Sequence, residues 1–575
     1  MALRNDRAVQ AARDIELVET DDGYTLVGGP VTQDGEGEGV TEQHDTDRIP
    51  EVDVTQEMLS NSGEDPESWL MYGGNYEQHR ATTADVITPD NVSDLELEYE
   101  LSVGTGSSME GTPIVVPGDP PVMYQTNGPN HMKAIDAREG EVLWSYTYAP
   151  PIGVELCCDD NNRGAAVLGD TVYMTTLDSG VVALDRYSGE EQWYTQTANH
   201  EEGYSATWAP VIHDETIYTG SAGGEYGVLG FIAALDAESG EMQWQTDTLP
   251  EDEWVGQSRE HGCGTSWMTP TIDEDRGVLY SPVANPGPDF DGTVRPGPNF
   301  PTCGTLSLDL ESGEHNWGFQ SSPHDVWDYD AAAPRVLVRD VEVEGESMDL
   351  VVGSDKAGWV FLMDADSGQL HERSQEICQH INMWGMIPHI SSDERVPFVP
   401  GAPGGNDWQP PSYNPQTGYV YVIHQNFPQD LYWRYEEYSE GNPYWGGGLD
   451  DPASEIPDEW NESITAFAAV DPATGERVWR EWIESEDELY MWGGSMSTAT
   501  GLVFNGTQNG TFVAYDGENG DRLWEHEFDV PISASPMSWY DPGEEKQYVA
   551  VQVGGSGWLR QGTRGDTLAV FSMDA

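Results

Sequence analysis

Apolar residues along this chain fall in short alternating runs broken by turn residues, and one pattern, apolar-Asp-x3-Gly-x3-Trp, recurs. It reads AIDAREGEVLW (Asp136 to Trp144), ALDRYSGEEQW (Asp185 to Trp193), ALDAESGEMQW (Asp236 to Trp244), SLDLESGEHNW (Asp309 to Trp317), AVDPATGERVW (Asp471 to Trp479) and AYDGENGDRLW (Asp516 to Trp524). A seventh copy, LMDADSGQLHE from Asp364, has Glu372 where Trp is expected. Each copy predicts a hairpin, in which a strand ends at Asp, Gly supplies a positive φ, and a return strand follows. Trp on the return strand can wedge between neighbouring sheets and bury a large apolar area.

Small antiparallel sheets repeating every ~40–50 residues predict a β-propeller. The longest interval between motif aspartates, Asp364 to Asp471, is expected to hold one further blade near Ser412–Val422, SYNPQTGYVYV. Seven copies plus that blade predict an all-β, eight-bladed β-propeller with tryptophan-docking repeats. The insertions near 285–300 and after the Asp364 copy are expected as loops on one face. Residues 1–51 are acidic and without periodicity, and read as a mobile extension. The propeller is expected over 52–575, entered through a short capped helix.

Composition changes this picture in one respect. The chain has 575 residues, with 103 Asp+Glu against 24 Lys+Arg and a formal net charge of -79. That balance argues against nucleic acid or an anionic membrane as a partner, because both demand basic patches. No apolar run is long enough for a transmembrane segment. Acid spread through the whole chain, with lysine reduced to Lys133, Lys356 and Lys546, resembles proteins from salt-accumulating organisms. The N-terminal residues show no apolar stretch of a secretory signal.

Several chemistries drop out by their motifs. Cys-x-x-Cys is absent, which removes a zinc ribbon and a covalent c-type haem site, and no Gly-Lys pair exists for a nucleotide-binding loop. What stands out is Cys157-Cys158, followed by DDNNRG with Arg163. Adjacent α-carbons lie about 3.8 Å apart, below the usual span of a disulfide, so the pair reads either as two core thiols or as a bridge whose purpose is not loop closure. At most one further disulfide can form among Cys263, Cys303 and Cys378.

The repeated Trp motif, the CCD-x-x-NRG string and the segments below arrive in an order that resembles the pyrroloquinoline-quinone (PQQ)-dependent alcohol dehydrogenases. The resemblance runs from about residue 52 to the C-terminus. It implies a disulfide between Cys157 and Cys158 over one face of the quinone. GSAGGEYGVLG implies a metal-ligating Glu225 with Gly223 and Gly224 at the cofactor, and ANPGPDF implies the metal ligand Asn285. SPHDVWDYDAAAP places the catalytic and metal-ligating aspartate at Asp328. Asp330, two residues on, occupies a position where lanthanide-dependent relatives carry Asp, and strand alternation would put both carboxylates on one side. An all-oxygen ligand set suits a hard cation, with Ca2+ the first choice and a lanthanide the alternative. Trp267 is implied as the cofactor floor. Further cofactor contacts are implied at Glu110, Arg163, Thr207, Thr265, Lys356, Asn406 and Trp492.

The implied activity is oxidation of a small alcohol, with Asp328 as general base and Lys356 offsetting charge on the quinone oxygens. Electrons would pass to a separate acceptor such as a cytochrome or copper protein, and the family points to a location outside the cytoplasm. An aldose-type dehydrogenase and a non-catalytic propeller scaffold are the alternatives. If self-repulsion limits stability, the melting temperature rises as KCl goes from about 0.1 M to about 1 M, shortening the Debye length from about 10 Å to about 3 Å. Thermal scans across that series check it, and a falling midpoint contradicts it.

Overall fold

The computed structural model describes residues 37–104, 108–154, 156–343, 345–383, 394–450, 465–483, 493–555 and 565–575, together with the strands Glu16–Thr20 and Gly23–Val27. Among these residues eight sheets have four or five strands, and consecutive hairpin-linked strands lie side by side within each. The first sheet contains Ile114–Val116, Val122–Asn127, His131–Asp136 and Val142–Ala149. The next four occupy 166–196, 211–247, 271–320 and 336–373. The sixth joins Ser412–Asn414, Tyr419–Gln425, Thr465–Val470 and Arg477–Ile483. The seventh covers 495–527, with Ala81–Thr82 added in parallel. No described helix is long and apolar enough to cross a membrane.

The repeated motif explains how neighbouring sheets dock. Each motif Asp accepts a backbone N–H from within its own turn, as Asp236 does from Ser239 at 2.8 Å and Asp309 from Ser312 at 2.8 Å. The motif glycines take the positive φ that the turn requires, between 67° and 80°. Trp then bridges to the following sheet. The Trp144 indole donates to the Arg186 carbonyl at 3.0 Å, Trp193 to Ala237 at 3.3 Å, Trp244 to Leu310 at 3.2 Å, Trp317 to Ala365 at 3.2 Å and Trp479 to Gly517 at 2.9 Å. Each acceptor directly follows a motif Asp, and each ring lies on that motif's glycine. A Cβ on Gly189 would come within 2.7 Å of the Trp144 ring, and one on Gly520 within 2.7 Å of Trp479.

The eighth sheet closes the ring and corrects one expectation. Strands at Ser412–Asn414 and Tyr419–Gln425 pair onward to Thr465–Val470, so they share a sheet with the Asp471 motif and form no separate blade. The additional sheet lies instead at the C-terminus, where Met537–Asp541, Lys546–Val553 and Thr567–Asp574 are completed by Glu96–Ser102 from near the N-terminus. This sheet carries no Asp-Gly-Trp motif, which is why the pattern missed it. Tyr99 takes over the docking role. Its hydroxyl donates to the Ala137 carbonyl at 3.0 Å, and its ring lies 2.7 Å from a Cβ placed on Gly140.

The ordered fold also begins before the expected boundary at residue 52. Glu38–Gln43 pairs antiparallel with Val142–Ala149 as the outer strand of the first sheet, and Arg48 forms ion pairs with Asp136, Glu139 and Glu141. The expected capped helix is Gln56–Ser60, with Thr55 accepting the Met58 N–H. The insertion after the Asp364 copy contributes a three-stranded sheet of Val396–Phe398, Gln429–Trp433 and Gly447–Asp450. Trp144 is fully buried at its inter-sheet contact. Trp144→Ala is expected to cost about 3–5 kcal/mol, whereas Glu372→Ala, at the exposed substituted position, should stay within about 0.5 kcal/mol. Denaturant unfolding of the two variants measures both.

Candidate active site

Glu225 sits on a single helical turn, Gly224–Tyr226, preceded by Gly223 at φ 105°. The turn packs tightly: a Cβ on Gly223 would lie 2.1 Å from the Gly203 carbonyl, and the Gly224 carbonyl accepts the Cys263 thiol at 2.7 Å. A Cβ on Gly224 would point at Thr265 Oγ1 (3.5 Å) and Asn285 Oδ1 (3.8 Å). Above it, the Tyr444 N–H donates to the Glu225 carbonyl at 2.6 Å, so the chain between the strands Gln429–Trp433 and Gly447–Asp450 straps the turn in place.

Four further acids and one lysine gather beside this turn. The backbone N–H of Asn285 donates to Asp330 Oδ1 at 2.5 Å, and its side-chain Nδ2 donates to Asp289 Oδ1 at 3.0 Å. Lys356 Nζ lies 3.3 Å from Asp328, 3.1 Å from Asp330 and 3.8 Å from Asp407. Asn285, Asp289, Asp330, Lys356 and Asp407 are buried, while Glu225 and Asp328 keep a partly open surface. Asp328 and Asp330 do reach the same ammonium, though not through strand alternation. The segment is a loop in which Asp328 takes φ 67° and Asp325 accepts the N–H groups of Asp328 (3.0 Å) and Tyr329 (3.1 Å). Such a conformation costs a non-glycine residue of order 1–3 kcal/mol and persists only where the surroundings hold it.

The surroundings are buried arginines. Arg295 donates to the carbonyls of Pro288, Asp289 and Asp325, tying the Asn285–Asp289 loop to the Asp328 loop. Arg335 pairs with Asp355 at 2.7 Å, next to Lys356. Gly404 (φ 72°) lies over Lys356, where a Cβ would come 2.3 Å from the lysine side chain, so only glycine fits this close approach.

A second group of implied residues lines the same region. Cys157 and Cys158 are joined by a disulfide, and their sulfurs lie with a Glu225 oxygen inside a 4.8 Å cluster. Cys263, Cys303 and Cys378 are buried free thiols, so the second bridge that the count allowed does not form. Arg163 donates to Glu110 at 2.7 Å and to the Thr207 carbonyl at 3.2 Å, with its guanidinium 5.1 Å from the Trp267 ring and 5.7 Å from the Trp408 ring. The Asn406 amide donates to the carbonyls of Gln409 and Ile423, and the adjacent Asp407 approaches Lys356. Trp492 lies outside the described residues. Asp289 and Asp407 were not singled out in the sequence, since an acid in so acidic a chain carries no signal of its own.

The donor set is carboxylate and amide oxygen throughout, which fits a hard cation such as Ca2+ or a lanthanide and does not fit zinc. Burial pushes the Glu225 carboxyl up to about 7, with Asp330 adding to the effect and Lys356 opposing it. Burial likewise raises Asp289 and Asp328, and lifts Asp407 to about 7 and Asp325 to about 6. The Lys356 ammonium is held above its ordinary range, because Asp328, Asp330 and Asp407 outweigh the opposing effect of burial. A bound cation reverses the acid shifts by favouring each ionised form.

In the ion-free protein a carboxyl raised on folding holds an extra proton between its unfolded and folded pKa values. It therefore imposes no penalty below the unfolded pKa, and a growing one as pH rises to the folded value. Asp407 and Glu225 thus make ion-free protein lose stability between about pH 4 and about pH 7. Asp407→Asn should flatten that slope in urea unfolding with chelator present. An unchanged slope contradicts the assignment.

A family model described as "Glucose/ethanol/alcohol dehydrogenase, beta-propeller domain" matches residues 69–372, and one described as "Outer membrane protein assembly factor BamB" matches 464–552. The chain is 28% identical over 547 residues to a quinoprotein alcohol dehydrogenase of Pseudomonas putida, covering 88% of each. It is 30% identical to a quinohemoprotein alcohol dehydrogenase of Comamonas testosteroni, over 87% of this chain and 74% of the relative. It is also 30% identical to a lanthanide-dependent methanol dehydrogenase of Methylacidiphilum fumariolicum, covering 86% of each. Among solved structures, a europium-containing methanol dehydrogenase aligns with a TM-score of 0.80 at 28% identity, over 90% of this chain and 100% of that one. The first model takes in the loops bearing Glu225, Asn285 and Asp328, and with near full-length relatives beside it, the chain belongs to the family of PQQ-dependent (quinoprotein) alcohol dehydrogenases.

Proposed function

We propose that this enzyme oxidises a small alcohol to an aldehyde or ketone in an eight-bladed propeller, using PQQ and a lanthanide ion, and passes electrons to a separate carrier. The observation that carries the reading is that Asp328 and Asp330 share the Lys356 ammonium while Asp330 also accepts the N–H of Asn285, whose side-chain oxygen lies against the Gly224–Tyr226 turn that bears Glu225. The eight sheets of four or five strands support the blade count. Calcium is the ordinary first choice for such a set, but the charge count favours a trivalent ion. Glu225, Asp289, Asp328, Asp330 and Asp407 together carry five negative charges when ionised, against the two positive charges of Lys356 and the buried Arg295. The similarity to a lanthanide-dependent and a europium-containing methanol dehydrogenase supports the same choice.

When bound, PQQ supplies the hydride acceptor and the cation polarises its carbonyl. Glu225, Asn285, Asp328 and Asp330 would hold the ion. The Asp328 carboxylate takes the proton from the substrate hydroxyl, and its partly open surface keeps it within reach of the pocket. Lys356 supplies fixed positive charge at the oxygen end of the site. Arg163, braced by Glu110 and stacked between Trp267 and Trp408, offers a cation to a cofactor carboxylate. Trp267 and the Cys157–Cys158 bridge would form the two walls of a flat slot. The bridge also supports an oxidising, extracytoplasmic location.

The test is reconstitution with PQQ and either La3+ or Ca2+, followed by dye reduction over a panel of alcohols and sugars and by metal analysis. The expected outcome is alcohol-dependent reduction that is faster with La3+. Sugar-selective turnover supports the aldose alternative, and absence of both cofactor absorbance and turnover supports the scaffold. Asp328→Asn should lower kcat by about 10²–10⁴-fold while the variant still takes up PQQ, which absorbance titration checks.

A further inference from the structure

The side chain of Asn285 can serve a cation only through its carbonyl oxygen, and an amide can be turned over at little cost unless something fixes it. Two contacts fix Asn285. Its backbone N–H is taken by Asp330 Oδ1 at 2.5 Å, and its Nδ2 by Asp289 Oδ1 at 3.0 Å. Once ionised, the form a bound cation favours, the Asp289 carboxylate accepts and never donates, so it pairs with the nitrogen end of the amide and repels the oxygen end. With the nitrogen held by Asp289, Oδ1 faces the Gly224–Glu225 turn, 3.8 Å from the point where a Gly224 Cβ would stand. Asp289 itself is nearly fully buried, at 4% exposure. Its backbone is pinned as well, since its carbonyl accepts Arg295 at 3.1 Å and Arg295 also holds the Pro288 carbonyl at 3.1 Å.

A bland account would make Asp289 a buried acid satisfied by whatever amide stands nearby. Its cost argues otherwise. Burying a carboxylate close to Glu225 and Asp330 is unfavourable, and an apolar residue would fill the space without that penalty. The neutral Asn285 amide does not compensate a buried charge, and the one guanidinium nearby, Arg295, leaves the Asp289 carboxyl well above its ordinary value, whereas a bound cation would favour the ionised form.

We propose that Asp289 is a positioning residue of the cation site, one that acts through Asn285 by locking its amide with the oxygen toward the ion while adding a negative charge just outside the ligand set. The inference rests on the cation site proposed above and assigns Asp289 a role that site does not require by itself. Residues behind a metal ligand commonly change metal affinity by about 10–100-fold when removed, and that is the range expected here.

The experiment measures Eu3+ affinity by luminescence, with Ca2+ as competitor, on PQQ-loaded protein. The variants are Asp289→Ala, Asp289→Asn, Asn285→Ala and the Asp289→Ala/Asn285→Ala double. Asp289→Ala should weaken Eu3+ binding about 10–100-fold. Asp289→Asn, which keeps an acceptor oxygen, should recover part of that loss, with the larger residual deficit for Eu3+ than for Ca2+. The double variant should bind more weakly than Asn285→Ala alone only by about the deficit that Asp289→Asn shows, because the rest of the Asp289 effect works through that amide. Should Asp289→Ala fail to fold, Asp289→Leu, which keeps bulk without an acceptor, takes its place. Eu3+ affinity within twofold of the parent in the Ala or Leu variant overturns the proposal, as do fully additive losses in the double variant. If the parent itself binds neither ion, the cation-site reading fails together with this one. If the parent binds and Glu225→Gln abolishes binding while Asp289→Ala does not weaken it, only the role of Asp289 is lost.

Discussion

Glu225, Asp289, Asp328 and Asp330 crowd one buried region in which Lys356 pairs with Asp328 and Asp330, and the repulsion among the acids has to be carried by the surrounding protein. The acids come from separate loops, so none can relax away without moving a whole segment. Arg295 couples the Asn285–Asp289 and Asp328 loops through backbone carbonyls, Asp325 caps the second of these, and Arg335 clamps Asp355 beside the lysine. The charges stay together because that frame holds them.

That frame is in turn only as rigid as the ring of sheets. Each of these five motif Trp-to-carbonyl contacts joins one sheet to the next at the turn where Asp and Gly set the backbone, so docking and turn formation depend on the same few residues. Closure needs a partner from the other end of the chain. Glu96–Ser102 supplies both the last strand of the eighth sheet and Tyr99, which repeats the tryptophan's hydrogen bond in different chemistry. Loops that project from such a ring can carry strained residues like Asp328, because the strands on either side do not yield.

The Trp motif was legible because its spacing is short and local: Asp caps, Gly turns and Trp docks within eleven residues, all visible in one reading of the chain. The closing sheet was hidden because its strands come from opposite termini and Tyr99 replaces Trp. The strands at 412–425 looked like an extra blade for a related reason. Their partner at Thr465–Val470 lies beyond a long insertion, and sequence distance gave no hint of pairing. In the site, Glu225, Asn285, Asp328 and Lys356 were marked by unusual local strings. Asp407 carried no such mark, since only the fold shows that its side chain turns toward the lysine.

By itself the sequence determined a turn-rich, all-β chain of docking repeats, an acid-dominated surface and a set of oxygen donors in a recognisable order. Those properties follow from local spacing and composition, which survive without any tertiary contact. Tertiary structure alone decided which termini meet, which of the many acids are buried, and which way the Asn285 amide faces. Burial and orientation arise from atoms brought together across hundreds of residues, and one carboxylate among 103 acids acquires its meaning only from what surrounds it.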